Sequence, residues 1–148
     1  MNDLTSTSFA TPDGEFHWPV RVYIEDTDAG GIVFYANYLK FMERARTEFV
    51  RSLGLNLREG LRDNISYVVA HLDVRYIKSA LLDDELTVSV SLAKQGRVYM
   101  QFDQKITNKK NELLVTGHVK VACVELCTGK PRPLPESLIA ALNARRIA

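Results

Sequence analysis

Two cysteines, one tryptophan and three histidines are all that the 148 residues hold of the side chains that most often bring metal or redox chemistry to a site. Cys123 and Cys127 form a Cys-x-x-x-Cys pair. No second Cys or His pair stands at a spacing that would complete a zinc site. Cys123 falls in an apolar run, residues 119–126, where a free thiol packs as a small hydrophobe. His17, His71 and His118 are scattered among strand-like residues and read as structural or surface groups. An excess of one charge is also missing. Nineteen basic residues against eighteen acidic ones leave +1, so no global field favours nucleic acid or an anionic membrane. No apolar run approaches the ~20 residues that span a bilayer. There is no Walker-type loop, no Ser-His-Asp ordering and no basic aromatic platform for RNA or DNA. Internal repeats and linkers are absent too.

What remains is an ordinary globular composition, 46% apolar and 25% charged, in a length that suits one domain with a real core. Residues 1–14 are polar and lack the basic-then-apolar order of a secretion signal. Residues 1–15 are therefore expected to be a flexible tail and residues 16–148 a single domain, with a cytoplasmic location.

Periodicity supplies the elements. Residues 16–26 alternate, with Trp18, Val20, Val22 and Ile24 on one parity, which predicts a half-buried strand. Pro19 suits an edge or a strand start. Residues 36–53 carry Leu39, Met42, Ala45, Phe49 and Leu53 at helical steps, with Asn37 as N-cap and Gly54 as the stop. Four further strands are expected at 66–78, 85–92, 97–107 and 113–125. Lys94-Gln95-Gly96 and Asn108-Lys109-Lys110-Asn111 read as the turns between them. Those turns are too short for crossover helices, so the sheet should be mainly antiparallel. Pro131, Pro133 and Pro135 end it, and residues 135–146 form a short amphipathic helix. The class is α+β, one long helix against a five-stranded sheet, with edges that pairing with a second copy would cover.

Chemistry concentrates in residues 25–38, Glu-Asp-Thr-Asp-Ala-Gly-Gly-Ile-Val-Phe-Tyr-Ala-Asn-Tyr. Asp28 precedes a Gly-Gly turn that feeds the helix start. A carboxylate beside backbone N–H groups at a helix start suits attack on a thioester or ester carbonyl. The alternative is a turn aspartate capping its own backbone. Gly30 and Gly31 permit positive φ and close backbone approach to a ligand, or simply a sharp turn. Asp26 reads as a solvent-facing or turn-capping acid, and Glu48 as an ion-pair partner rather than a catalyst.

Residues 21–48, with Val74-Arg75-Tyr76, Leu82-Asp83-Asp84 and Pro131-Arg132-Pro133-Leu134-Pro135, resemble the hotdog-fold acyl-CoA thioesterases. The resemblance covers roughly residues 16–140 and is nearest to the YbgC-type subgroup, associated with the Tol-Pal operon and related to 4-hydroxybenzoyl-CoA thioesterase. It implies a hotdog fold, the sheet wrapped around the long helix, and homodimers or homotetramers with sites at the subunit interface. It implies that Asp28 is nucleophile or general base on an acyl-CoA thioester, with no cofactor and no metal. Acyl carrier protein is the other candidate carrier. Many members of the subgroup carry His where this chain has Tyr35. The 4-hydroxybenzoyl-CoA pattern has Tyr there and uses its backbone N–H, so Tyr35 is assigned the oxyanion role. Gly30, Gly31 and Asn37 are the adjoining substrate-binding candidates. Lys94 and Arg97 are those for the coenzyme phosphates, which Lys130 and Arg132 would supplement. Two other readings compete with the enzyme. One is a non-catalytic acyl-CoA or acyl-carrier-protein binding module that scaffolds envelope-lipid enzymes. The other is a hotdog dehydratase, against which Tyr35 in place of His argues. Acyl chain length, and aliphatic against aromatic preference, are not encoded in these motifs.

Overall fold

The computed structural model describes residues 14–147. All but the last two residues of the expected tail lie outside that range. Strand β1 (Phe16–Arg21) leads through one 3-10 turn (Ile24–Asp26) and a loop into helix α1 (Asn37–Ser52). Helix α2 (Leu57–Arg62) follows, then β2 (Ile65–Tyr76), β3 (Glu85–Gln95), β4 (Tyr99–Thr107), β5 (Leu113–Glu125) and helix α3 (Glu136–Ile147). The strands form one sheet in the order β1-β3-β4-β5-β2, and every neighbouring pair is antiparallel. This is the expected α+β hotdog arrangement, with α1 on one face of the sheet.

The first strand is shorter than its alternation implies. Val22 is fully buried and still exchanges backbone bonds with Asp83 and Asp84, but Ile24 is 77% exposed. Asp26 takes the Tyr23 N–H on Oδ2 at 2.8 Å, which closes the 3-10 turn. A short acid three residues on offers the backbone a local partner in place of a strand neighbour. Asp26 is thus the turn-capping acid of the two readings, and it is buried.

Helix α1 keeps the expected span but turns its stripe. Tyr38, Phe41, Met42, Ala45 and Phe49 are buried, whereas Leu39 is only half-buried. Phe49 packs edge-on against Phe16 and Phe102 at 5.8 and 6.0 Å, linking helix to sheet. Burying each such ring contributes roughly 2–3 kcal/mol. Met42 lies so close to β5 that a Cβ on Gly117 would stand 2.9 Å from its sulfur. Gln104, 1% exposed, ties the same helix to β4: its Nε2 donates to the Met42 carbonyl and its Oε1 accepts from Arg46.

Asn37 is not the N-cap. Ala36 occupies that position, and the Asn37 side chain instead donates to the Asp26 carbonyl at 2.9 Å. Gly54, at φ +88°, stops the helix as expected. Helix α2 has no counterpart in the periodicity. Asn56 caps it, its Oδ1 accepting from the Arg58 and Glu59 N–H groups. Strand β3 also runs further than expected, through a bulge between Leu92 and Lys94 to Gln95. The turn is therefore at Gly96, whose missing Cβ would meet the Tyr99 ring at 2.0 Å.

Candidate functional site

Residues 27–33 fold back on themselves at one end of the sheet. Thr27 and Val33 bridge, Asp28 N–H donates to Ile32 O, and Gly31 N–H to Asp28 O. Gly31 at φ +83° closes the turn, a conformation that needs glycine. The loop is held on the residues preceding β3: Val33 N–H donates to Ala80 O, and Leu82 N–H to Gly31 O.

The Asp28 carboxylate sits at the tip. Its Oδ1 accepts the Gly30 N–H at 2.8 Å, so the Asx-type turn exists. Oδ2 has no hydrogen-bond partner among the described residues. The two readings of Asp28 are therefore compatible: one oxygen anchors the carboxylate, and the other stands free in an exposed position. Gly30 makes this possible, because a Cβ there would lie 3.3 Å from Oδ1.

Tyr35 follows, 63% exposed, just ahead of α1. Its N–H and that of Ala36 are given to no acceptor among the described residues. Such amides at a helix start are donors toward whatever lies beyond. Asp28 and Tyr35 line one groove of about 370 Å3, together with Tyr76, Ile77, Lys78 and Ser79. The Phe34 N–H and the Asn37 side chain both anchor on the Asp26 carbonyl. Asn37 thus holds the loop rather than facing the groove.

Tyr76, at the end of β2, was not singled out by its motif. Its hydroxyl donates to the Tyr35 carbonyl at 2.9 Å. Its ring stands between those of Tyr35, at 6.2 Å, and Tyr38, at 5.7 Å. Burial, then the neighbouring Tyr35 and Tyr38 phenols, raise its pKa, so the hydroxyl stays a donor at neutral pH. The Tyr38 hydroxyl accepts the Ala80 N–H at 3.0 Å.

Lys94 and Arg97 lie elsewhere. Strand β3 runs from Glu85, at the Asp28 end, to Lys94 at the other, roughly 30 Å at ~3.3 Å per residue. Within one chain neither cation reaches the groove. Arg132 stands at that far end too, its Nη1 directed at the Asp63 and Asn64 carbonyls at 3.4 Å.

A second cavity of about 380 Å3 opens between α1, α2 and the β2–β5 side of the sheet, with Leu57, Leu61 and Phe102 in its wall. Glu43 and Arg46 supply its charge, but it contains no carboxylate beside free amides. Burial lowers the Arg46 pKa, and the Glu43 carboxylate opposes that shift. Glu48 is paired with Arg51 at 2.6 Å, as an ion-pair residue. Cys123 is buried, and burial pushes its thiol up. Among the described residues no group of three or more His, Cys, Asp or Glu is arranged to hold a metal. No helix among them is long and apolar enough to cross a membrane.

Residues 22–142 match the profile of the thioesterase-like superfamily. The chain is 42% identical over 125 residues to the acyl-CoA thioester hydrolase YbgC of Escherichia coli O6:H1, covering 84% of this chain and 93% of that protein. It is 41% identical over 133 residues to the acyl-CoA thioesterase YbgC of Haemophilus influenzae, covering 88% and 96%. Among solved structures, a probable thioesterase from Bartonella henselae superposes with a TM-score of 0.73 at 32% identity, over 82% of this chain and 98% of that one.

Proposed function

Because the chain belongs to the thioesterase-like superfamily, and within it to the YbgC group of acyl-CoA thioester hydrolases, we propose that it hydrolyses acyl-CoA to free acid and coenzyme A. The observation that carries the catalytic reading is the shared groove. Asp28 and Tyr35 line the same groove, and among the described residues Asp28 Oδ2 and the Tyr35 N–H carry no hydrogen bond, which supports placing a thioester carbonyl between them.

Asp28 acts as nucleophile or general base. As nucleophile, Oδ2 forms a bond to the carbonyl carbon, and the π electron pair moves onto the carbonyl oxygen. As base, it takes a proton from the water that forms that bond. In both cases the oxyanion is held by the Tyr35 N–H at the start of α1. Collapse breaks the C–S bond, and the thiolate leaves without strong acid assistance. In the nucleophilic route, water then hydrolyses the acyl–Asp28 anhydride. A backbone donor does not depend on the side chain that follows it, so Tyr35 in place of His is compatible with turnover.

The substrate's far end requires a second copy. Strand β2 is an edge, with Val68 and Val69 exposed along it. Antiparallel pairing of two β2 edges about a two-fold axis brings the Tyr76 end of one chain beside the Ile65 end of the other. In such a dimer Lys94 and Arg97 come from the partner, where they meet the coenzyme phosphates.

The test is a panel of acyl-CoA thioesters, aliphatic and aromatic, with thiol release followed on purified protein. Turnover on at least one member is expected. Saturable binding without thiol release would replace this reading with that of a binding module.

A further inference from the structure

Among the described residues, the loop that carries the Tyr35 amide has one side-chain tether from beyond α1, the hydroxyl of Tyr76 on strand β2. We propose that Tyr76 is a positioning residue for the oxyanion site: its hydroxyl, on the Tyr35 carbonyl, sets the orientation of the amides before α1. The inference rests on the thioesterase reading above.

The geometry argues for it in three steps. First, neither amide is fixed by a bond that it donates: among the described residues the Phe34–Tyr35 peptide is held through its carbonyl, which accepts the Asn37 N–H at 2.8 Å, and the Tyr35–Ala36 peptide through the Tyr76 hydroxyl alone. The Tyr35 and Ala36 N–H groups have no acceptor among the described residues, so no donated bond sets their direction. Second, a trans peptide is planar and points its C=O and N–H oppositely. A hydrogen bond to the Tyr35 carbonyl therefore fixes the Tyr35–Ala36 plane, and through the Tyr35 backbone torsion it restrains the amide on the preceding plane. It also polarises the peptide it binds, which strengthens the donor on the other side. Third, Tyr76 is itself held. Its ring packs edge-on against Tyr35 and tilted against Tyr38, and Tyr38 is buried with its hydroxyl on Ala80. Because Ala80 also accepts from Val33, the same short stretch before β3 supports both sides of the groove. Tyr76 is 47% exposed in the single chain, and one hydrogen bond from so exposed a residue adds little to folding.

The hydroxyl bonds neither the thioester nor the attacking group. Its effect should appear where charge develops on the carbonyl oxygen, and not in ground-state binding. Tyr76→Phe keeps both ring contacts and removes only the donor. The expected result is a loss of about tenfold in kcat, with KM within about twofold of wild type and an unchanged melting temperature. Two coenzyme A analogues supply a readout that a structural role would not move. A trifluoromethyl ketone, which presents an oxyanion, should lose about tenfold in affinity, and a non-hydrolysable thioether should bind as before. Equal kcat in the variant, or equal weakening of both analogues, overturns the positioning role while the functional reading stands. Should Tyr76→Phe melt early, Tyr76→Trp, which keeps an aromatic ring and one N–H donor, must recover stability without recovering kcat; recovery of neither would mark the contact as structural. A wild type that hydrolyses no acyl-CoA overturns the functional reading and this inference with it.

Discussion

Asp28→Asn separates the two things that the Asp28 carboxylate does. The amide retains Oδ1, so it still accepts the Gly30 N–H that now lies at 2.8 Å. The side chain is exposed and forms no ion pair among the described residues, so loss of its charge leaves nothing buried without a partner. Stability should therefore stay within about 0.5 kcal/mol of wild type, as for other exposed substitutions. Catalysis should not. An amide oxygen neither attacks a carbonyl nor deprotonates water effectively. The loss should be at least ~100-fold in kcat, or about 2.7 kcal/mol on the barrier. Thiol release on the best acyl-CoA, with a urea melt of the same preparation, measures both quantities. A variant that folds normally and turns over within tenfold of wild type would reduce Asp28 to its turn role and refute the assignment.

Four further outcomes are expected. Tyr35→Phe should change kcat little, whereas Tyr35→Pro, which removes the amide donor, should lower it by about 100-fold or more; steady-state kinetics with circular dichroism checks both. Replacing Lys94 and Arg97 together by Ala should raise KM for acyl-CoA with kcat nearly unchanged, and should spare a truncated thioester that lacks the nucleotide. Gln104→Met keeps the volume but leaves Arg46 without its acceptor, so urea unfolding should show a loss of about 1–3 kcal/mol. His118 Nδ1–H donates to Asp103 Oδ1 at 2.6 Å on the exposed sheet face, and this bond raises its pKa above the usual 6.5. A raised pKa gives stability that is present below 6.5 and lost as pH rises through the folded value. The melting temperature at low salt should fall slightly over that window, and His118→Gln or high salt should remove the slope.

Much of this fold was legible because its elements carry strong periodicity. Residues 113–125 are the whole of β5, and the helix expected at 36–53 is α1 with its two caps included. Legibility failed where a local bond outcompeted the pattern. The alternation through Ile24 continues past the point at which Asp26 turns the backbone on Tyr23. Helix α2 has too few residues to show a period, although Asn56 followed three residues later by Glu59 is a capping signal. At the candidate site, adjacency in sequence was enough to put Asp28, Gly30, Gly31 and Tyr35 in one loop. It misled for Asn37 as a helix cap, because its side chain found a carbonyl eleven positions back. Tyr76 lies forty-one positions from Tyr35, and nothing in a lone tyrosine on a strand announces its partner. Lys94 and Arg97 flank a turn as expected, but only the strand order reveals that the turn is at the end opposite Asp28.

The two borders of the sheet are unlike each other. Strand β1 has six residues, and Pro19, exposed in its middle, brings no N–H to that border. Strand β2 has twelve, with no proline. Joining two chains at β2 therefore leaves only proline-interrupted borders facing outward, poor templates for a further strand. A contact of one border with itself is closed by symmetry, whereas β1-to-β2 stacking would repeat without end. On the proposed pairing, this asymmetry would direct a chain with a long exposed strand to a finite particle rather than a fibre. Replacing Pro19 with a strand former such as Val would remove that block to polymerisation at high concentration.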